Sequence, residues 1–241
     1  MYLHMSLIEE CKKDRKLRFP MYIVEEAKQI SRSSIEYVDY SVFETVSESL
    51  HSCTRPYQRT QVAQFLLDRV ILRSSSSATA TSPPTLVIDA TANIGCDTSL
   101  LAQLFEKATI VALENDEGAF RCLCHNMHAL FGKQVCTHPS QDYKQQVRII
   151  PLHMDCTLYL RSLFRTHASS AADDKVLIYF DPPWGGPDYW RESKLKLKLS
   201  GCLVETVVSE LYTAAASEQK KKRRPEDVTV ALKAPANFDY S

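Results

Sequence analysis

An acidic residue, two prolines and a tryptophan stand together at Asp181-Pro182-Pro183-Trp184. They follow five apolar residues, Val176 to Phe180, which predict a strand buried in a parallel sheet. Because proline cannot donate to a sheet ladder, this strand should end at Asp181. The Asp181 carboxylate and the Pro182 carbonyl can accept the two N–H bonds of an exocyclic or amide nitrogen and aim its delocalised lone pair at a methyl donor. With Trp184 stacked on the planar group that carries the nitrogen, these three residues are the candidate catalytic set; a strand that merely ends in a Pro-rich turn is the competing interpretation.

The motif and its continuation, Trp184-Gly185-Gly186-Pro187-Asp188-Tyr189, resemble the trimethylguanosine synthase family, the RNA cap guanine-N2 methyltransferases. Many aminomethyltransferases share Asp/Asn-Pro-Pro-aromatic, whereas the Trp-Gly-Gly-Pro continuation is much narrower. The resemblance implies methyl transfer from S-adenosylmethionine to the exocyclic N2 of m7G in an RNA 5′ cap, giving di- or trimethylguanosine. The expected partner is m7G-capped RNA, either snRNA- or snoRNA-like or a viral or cellular mRNA, and no membrane partner is expected. Two other functions stay open: an N-methyltransferase for rRNA or tRNA guanine, adenine or protein glutamine, and a cap-binding module that has lost catalysis.

A second candidate site lies at the turn after the first predicted strand, Thr85 to Ala90. A strand, a small-residue turn and a helix N-terminus make a cradle for a ligand's polar end, and Asp97 or Thr98 should cap the helix, which runs to Phe105. Asn93 can adopt the left-handed φ of the glycine that the resembled family usually has there. The resemblance implies that this cradle holds the methionine part of S-adenosylmethionine, with the residues Asp89, Thr91, Ala92, Asn93, Gly95 and Thr98.

Acidic residues also end the next two predicted strands. Glu114 closes the strand from Ile110, about 20 residues on from the first turn, where a carboxylate can bind ribose hydroxyls. Asp155 follows the strand from Val147 to Leu152, and the resemblance implies that it accepts the adenine amino group; a solvated loop aspartate is the competing interpretation. With their neighbours, the predicted donor-binding residues of this part are Glu114, Asn115, Asp155, Cys156 and Asp181.

Two stretches after the motif are candidates for binding the substrate. Arg191 to Lys198 alternates lysine with leucine, so an extended conformation would bring Lys194 and Lys196 to one face, where they could meet cap phosphates or merely protect a sheet edge. The fifth predicted strand, Val228 to Leu232, leads into Pro235-Ala236-Asn237-Phe238-Asp239. This ending is similar to the Pro-x-Asn-x-Asp segment that closes the family's cap pocket. The resemblance therefore makes Pro235 and Asn237 substrate-binding candidates, although alanine follows Pro235 where the family often has a basic residue.

The alternation of strands and helices predicts a doubly wound, mainly parallel α/β sheet of the Rossmann-like class I methyltransferase type. Residues 55–241 form the predicted methyltransferase domain, which starts with a helix over Arg55 to Arg73, and residues 1–54 a small N-terminal helical extension. That extension is predicted to hold helices over Met1 to Arg18 and from Val24 to Ser31. Its aromatic residues are candidates for a lid or for core positions: Tyr37, Tyr40 and Phe43. The resembled fold adds a C-terminal strand hairpin at the sheet edge, for which this sequence shows no counterpart. Two interpretations stay open: a shortened form of the fold, or an edge that is covered by something else.

Composition limits what can be expected of RNA affinity, cellular compartment and metal binding. The 241 residues carry a formal net charge of zero, so any affinity for RNA must come from local patches. The eight cysteines show no paired spacing, and the chain has neither a signal peptide nor an apolar run of membrane length, so a reduced nuclear or cytoplasmic compartment is expected. A monomer is expected as well. The basic run Lys220 to Arg224 is a candidate nuclear import signal or RNA contact, although most such runs are merely solvated; the nucleus is the favoured location. A zinc site on the predicted helix up to Leu130 is disfavoured, because structural zinc ligands usually come from loops, and no metal is predicted.

Overall fold

The computed structural model describes residues 3–6, 21–26, 42–46, 49, 53–54, 56–71, 83–136, 148–166, 175–186, 188–217 and 227–239. Several features named above lie outside these residues: the possible lid aromatics Tyr37 and Tyr40, Pro187 of the motif, the basic run Lys220 to Arg224, and residues 7–18 and 27–31 of the two predicted N-terminal helices. Across the part of the chain that is described, no helix is both long enough and apolar enough to cross a membrane.

A seven-stranded sheet forms the centre, in the order β1-β2-β9-β6-β3-β4-β5. All of its neighbouring pairs are parallel except β1 with β2. A separate two-stranded hairpin, β7 with β8, lies outside the sheet. The strands are β1 Leu3–Ser6, β2 Met21–Glu26, β3 Leu86–Asp89, β4 Thr109–Glu114, β5 Ile149–His153, β6 Val176–Phe180, β7 Lys198–Leu199, β8 Cys202–Leu203 and β9 Val228–Lys233. The predicted doubly wound, mainly parallel sheet is therefore confirmed.

Helices cover both faces of the sheet. They are α1 Pro56–Leu66, extended by a π-helical turn at Leu67–Ile71, α2 Cys96–Leu104, α3 Glu117–Phe131, α4 Cys156–Thr166 and α5 Val204–Ser217. Leu177 and Tyr179 of β6 pack in the core cluster that contains side chains of α1, α2 and α3, whereas Ile178 and Phe180 pack in the cluster of α4 and α5. Because β6 is buried on both faces, every one of its residues is apolar or aromatic, as the sequence indicated.

The N-terminal strands replace part of the predicted helical extension. Leu3–Ser6 forms β1, so the helix predicted over Met1 to Arg18 is wrong there, and the helix predicted from Val24 is wrong for Val24 to Glu26, which belong to β2. The run Tyr22-Ile23-Val24 has β-branched and aromatic side chains, and pairing with β9 satisfies backbone groups that an open sheet edge would leave unpaired. The edge at which a C-terminal hairpin was expected thus carries β2 and then β1.

Candidate active site

The parallel strands bring the predicted carboxylates to one edge of the sheet. Asp89 is the last residue of β3 and Glu114 the last of β4. Asp181 directly follows β6, and Asp155 lies two residues beyond the end of β5. Strands that run in the same direction end on the same side, and ligands of doubly wound sheets bind there. The structure therefore brings together the four acidic residues that sequence reasoning had assigned to separate strand ends.

The turn after β3 has the backbone conformation that was expected of it. Asn93 has φ of 48° and Gly95 has φ of 95°, so the prediction that Asn93 replaces a left-handed glycine is confirmed. Helix α2 begins with Gly95 at its N-cap and without a side-chain cap, so the predicted cap by Asp97 or Thr98 is wrong. Both side chains turn towards the sheet instead: the Thr98 hydroxyl donates to Asp89, and Asp97 accepts from the Tyr179 hydroxyl.

Asp89 stabilises this turn from the core side through two hydrogen bonds. Its side chain is fully buried; Oδ2 accepts from the Thr98 hydroxyl at 2.6 Å and Oδ1 from the backbone N–H of Thr91 at 3.3 Å. Burial raises the pKa of Asp89 to about 7, against the opposing effect of the Thr98 hydrogen bond. Both oxygens thus shape the turn from within the core, and the backbone of Ala92 to Gly95 lies between Asp89 and the helix start.

Glu114 is oriented by backbone groups on both sides of it. Oε2 accepts from the N–H of Asn93 at 2.8 Å, and Oε1 accepts from the N–H of Asp116 at 2.7 Å. Each carboxylate oxygen can accept more than one hydrogen bond, so the half-buried side chain retains capacity for two ribose hydroxyls. Asp116 caps α3 by accepting from the N–H of Ala119, which confirms the predicted helix start, and Asn115 is exposed between the two acidic residues.

Asp155 caps helix α4 and is held from a second direction. Oδ1 accepts from the N–H groups of Thr157 at 2.8 Å and Leu158 at 3.1 Å, while Oδ2 accepts from the Ser200 hydroxyl at the tip of the β7–β8 hairpin. Burial works to raise the pKa of Asp155, but the hydrogen bonds from Ser200 and Thr157 outweigh it and hold that pKa below its usual value. Sequence reasoning missed Ser200; the available signal was the Ser-Gly pair between two short apolar runs.

The immediate neighbours of Asp155 differ in exposure. Met154 and Leu158 are exposed apolar side chains on either side of it, a setting that suits a flat heterocycle with a polar edge. Cys156 is buried, and burial raises the pKa of its thiol to about 12. Cys156 can therefore contact a donor only through its backbone or as a neutral side chain.

Asp181 is paired with a lysine that sequence reasoning missed. The Nζ of Lys233, at the end of β9, lies 2.6 Å from Oδ2 of Asp181. The N–H of Asp181 donates to the Thr91 hydroxyl at 2.7 Å, which joins the motif to the donor turn. Burial raises the pKa of Asp181 to about 6; the Lys233 charge lowers that pKa, and the nearby Asp97 raises it. A lysine that closes an otherwise apolar strand was the only signal for Lys233 in the sequence.

Trp184 is half-buried beside the end of β6. Its indole meets the ring of Tyr189 edge-on, at a centroid distance of 5.0 Å and an interplanar angle of 74°. The indole Nε1 is buried and has no hydrogen-bond partner among the described residues. Trp190 next to it behaves differently: its side chain is 62% exposed, and the Arg191 guanidinium lies 5.1 Å from its ring. Trp184 is therefore the tryptophan with a packed, partly desolvated ring.

The C-terminal segment packs against the tail of the motif. The side-chain amide of Asn237 donates to the carbonyls of Tyr189 at 2.8 Å and Glu192 at 2.7 Å, and Leu195 forms a parallel bridge with Phe238. The buried Pro235 accepts from the N–H of Phe238. Asn237, assigned to the substrate from sequence, is thus placed where it holds the loop that carries Tyr189.

The two candidate lysines have carboxylate partners. Lys194 lies 3.8 Å from Asp239, and Lys196 lies 3.6 Å from Asp239 and 3.5 Å from Glu205. The predicted alternation is confirmed: Lys194 and Lys196 are exposed, while Leu197 is buried. The Lys194 side chain is 72% exposed, so its ion pair contributes little and can be exchanged for a phosphate, whereas the side chains of Lys196 and its partners are partly buried.

An N-terminal segment lies on the donor turn. The hydroxyl of Ser49 donates to Oδ1 of Asn93 at 2.5 Å, and Asn126 of α3 bonds both the N–H and the carbonyl of Glu44. Cys53 forms a disulfide with Cys96, the first residue of α2, whereas the sequence had indicated unpaired cysteines. Ser49 and Cys53 thus contact the donor turn and the start of α2, while Glu44 contacts α3. The lid role of this region stays a prediction.

These residues fit S-adenosylmethionine by their chemistry. Glu114 offers acceptors for a ribose diol, and Asp155 between Met154 and Leu158 offers an acceptor for an adenine amino group. The carboxylates of Asp181 and Asp97 lie near a single buried ammonium group, that of Lys233, so when both are ionised the cluster is negative and suits a sulfonium cation. Within the described residues, no group of three or more metal-binding side chains converges.

The match to a family model agrees with this chemistry. Residues 84–223 match the family described as RNA cap guanine-N2 methyltransferase. A crystal structure of P. horikoshii TYW2 in complex with MeSAdo is similar over 44% of this chain and 30% of that chain, with 24% sequence identity and a TM-score of 0.23. No curated protein matches the chain.

Proposed function

Because the chain belongs to the RNA cap guanine-N2 methyltransferase family, we propose that it methylates the exocyclic N2 of 7-methylguanosine in an RNA 5′ cap. The family makes the chain an enzyme of the methyltransferase class, with S-adenosylmethionine as the donor. That donor supplies an electrophilic methyl group on a positively charged sulfur. The choice of a capped guanine as the acceptor is supported by the residues around Asp181.

The observation that carries the proposal is the arrangement of Asp181 at the open end of β6. Lys233 binds Oδ2 of its carboxylate, and Thr91 accepts from its backbone N–H, so the side chain and the backbone of Asp181 are each held by one contact. Oδ1 is then the oxygen for one N–H bond of the guanine amino group, and the Pro182 carbonyl is the acceptor for the other. Two acceptors turn the nitrogen lone pair out of conjugation with the ring and towards the donor methyl group.

The proton released from nitrogen needs no strong base. Once nitrogen carries the new methyl group it becomes acidic, and its proton passes to the Asp181 carboxylate or to solvent. Burial raises the pKa of Asp181 to about 6, despite the opposing Lys233 charge, so the carboxylate is mostly ionised at pH 7 and ready to accept. Methylation should therefore fall below about pH 6, as Asp181 becomes protonated.

Trp184 supplies the preference for the cap over ordinary guanine. Methylation at N7 gives guanine a delocalised positive charge, which attracts the face of an indole. A desolvated cation–π contact is worth about 2 kcal/mol, which corresponds to about a thirtyfold preference. Trp184 is half-buried and held by Tyr189, so its face is the candidate platform for the base.

The chain has two tryptophans, which makes a selective fluorescence test possible. In a Trp190→Phe background, quenching reports on Trp184 alone, and m7GTP should bind about thirtyfold more tightly than GTP. Calorimetry should show that Trp184→Ala removes this preference and that Trp184→Phe keeps part of it. Equal affinity of the parent protein for the two nucleotides would favour the rRNA or tRNA alternative.

Activity is tested with m7G-capped and uncapped RNA of one sequence and a labelled donor. Label should enter the capped RNA only, and nucleoside analysis of the product separates di- from trimethylguanosine. A module without catalysis would bind m7GTP but not the donor in calorimetry. The domain boundary after residue 54, the monomeric state and the nuclear location stay predictions from the sequence.

A further inference from the structure

Lys233 is a buried cation in the floor of the candidate site. It is the last residue of β9, and only 3% of its surface is exposed. Its Nζ lies 2.6 Å from Oδ2 of Asp181, 2.7 Å from the hydroxyl of Thr54 and 3.6 Å from Oδ2 of Asp97. Three hydrogens of one ammonium group thus face three oxygens from separate parts of the chain.

Such a group is costly to bury unless it is paired, and its closest partner is the residue assigned to the reaction. We propose that Lys233 is a positioning residue for methyl transfer: its ammonium group holds Oδ2 of Asp181, keeps that carboxylate ionised and turns Oδ1 towards the amino group of the substrate. This inference rests on the proposed role of Asp181 in binding guanine N2. It assigns Lys233 no contact with the substrate or the donor.

The charges around Asp181 explain why the lysine is needed. Asp97 of α2 and Asp89 of β3 are acidic neighbours of Asp181. The Asp97 charge raises the pKa of Asp181, and the charges of Asp97 and Asp181 raise the pKa of Asp89, in addition to the effect of burial. Tyr179 of β6 donates to Asp97, and burial raises the pKa of its phenol, so it remains neutral. Lys233 is the positive group in this cluster, and without it the pKa of Asp181 should rise from about 6 towards or above neutrality.

A purely structural ion pair is the competing explanation, and a pH profile separates the two. Loss of a structural pair would lower the unfolding midpoint and leave the pH dependence of the folded enzyme unchanged. Loss of a positioning group would move the acid limb of kcat to higher pH, because Asp181 would need a higher pH to ionise. The direction of that movement is set by the sign of the Lys233 charge.

The experiment measures kcat and KM for methylation of capped RNA from pH 5 to 9. Lys233→Met should lower kcat at pH 7 about tenfold to a hundredfold, the range for one lost transition-state contact, and move the acid limb upward by at least about one pH unit. Donor affinity by calorimetry should stay within about threefold. Lys233→Arg should keep the acid limb, since it retains the charge. Lys107→Met, which changes an exposed lysine just before the start of β4, at the end of the sheet opposite the site, should match the wild type in every measurement.

Lys233→Gln provides the second variant, because it keeps a donor for Asp181 and Thr54 but lacks the charge; the same upward movement is expected. A folded Lys233→Met or Lys233→Gln enzyme with the wild-type pH profile overturns the inference. Failure of both variants to fold also overturns it, because Lys233 would then be assigned to stability alone. Asp181→Asn separates this from the proposed function. If Asp181→Asn retains wild-type turnover, the role of Asp181 fails as well; if turnover is lost and the Lys233 variants are normal, only the inference fails.

Discussion

The disulfide between Cys53 and Cys96 joins the N-terminal segment to the first residue of α2, across 43 residues of sequence. Cys53→Ser removes this link and leaves a side chain of similar size. A cross-link stabilises a protein mainly by restricting the unfolded chain, and the cost of closing a loop grows with its length. The bond should therefore raise the free energy of unfolding by an amount that grows with the logarithm of that separation.

For a loop of 43 residues, the chain-entropy relation gives about 4 kcal/mol at 25 °C. A domain of this size loses about 2–4 °C of melting temperature per kcal/mol, so Cys53→Ser should melt about 8–16 °C below the wild type. This decrease in melting temperature applies when the other two contacts of the segment persist in Cys53→Ser: Ser49 with Asn93 of the turn and Glu44 with Asn126 of α3.

Thermal and urea unfolding, each with and without a reductant, provide the assay. Reductant should lower the stability of the wild type to that of Cys53→Ser and should leave Cys53→Ser itself unchanged. Cys124→Ser is the matched control, because Cys124 is a half-buried free cysteine on α3. Its stability should respond to reductant as the wild type does.

Thiol titration of the denatured protein checks the bond directly. The oxidised wild type should show two fewer reactive thiols than the same protein after reduction. The reasoning would be refuted if the wild type shows all of its thiols without reduction and its melting temperature is the same with and without reductant. The contacts of Ser49 and Asn126 would then hold the segment without a disulfide.

Two further predictions concern carboxylates that bind backbone groups of the donor turn. Glu114→Ala should weaken donor binding in calorimetry by about 1–3 kcal/mol through lost hydrogen bonds, while m7GTP binding is retained; unchanged donor affinity would move the ribose site elsewhere. For Asp89, burial raises the folded-state pKa to about 7 from an ordinary value of 3.8, so its contribution to stability is fully present below about pH 4 and is lost as pH rises to about 7. Asp89→Asn should flatten this part of the pH dependence in urea unfolding, and a wild-type slope in the variant would show that another group titrates there.

The central strands and the site edge could be predicted from the sequence because their signals are local. β6 is a continuous apolar run that ends at two prolines, and its observed bounds are Val176–Phe180, as predicted. Parallel strands share a direction, so acidic residues that end successive strands had to meet at one edge. The left-handed φ of Asn93 followed from the residue type that stands in a turn otherwise built for glycine.

Local signals failed where the partner lies far away in sequence. The predicted cap by Asp97 or Thr98 followed the usual preference at a helix start, but that preference takes no account of Asp89 and Tyr179, which bind these side chains from the sheet. β2 pairs with β9 across about two hundred residues, with Met21 opposite Val230, and no periodicity within Met1 to Ser31 can show that pairing. The same holds for the disulfide of Cys53.

Lys233 shows the same limit at the reaction centre. A lysine at the end of an apolar strand can turn to solvent or into the protein, and the sequence favours the former because lysine is rarely buried. What turns it inward is a set of oxygens from three other segments: Asp181 after β6, Thr54 before α1 and Asp97 in α2. Because Thr54 follows the disulfide-bonded Cys53, the N-terminal segment that contacts the donor turn also supports the lysine that binds Asp181. The segment that contains Ser49, Cys53 and Thr54 is therefore part of the site, and a fragment that starts at α1 would lose one of the three partners of Lys233.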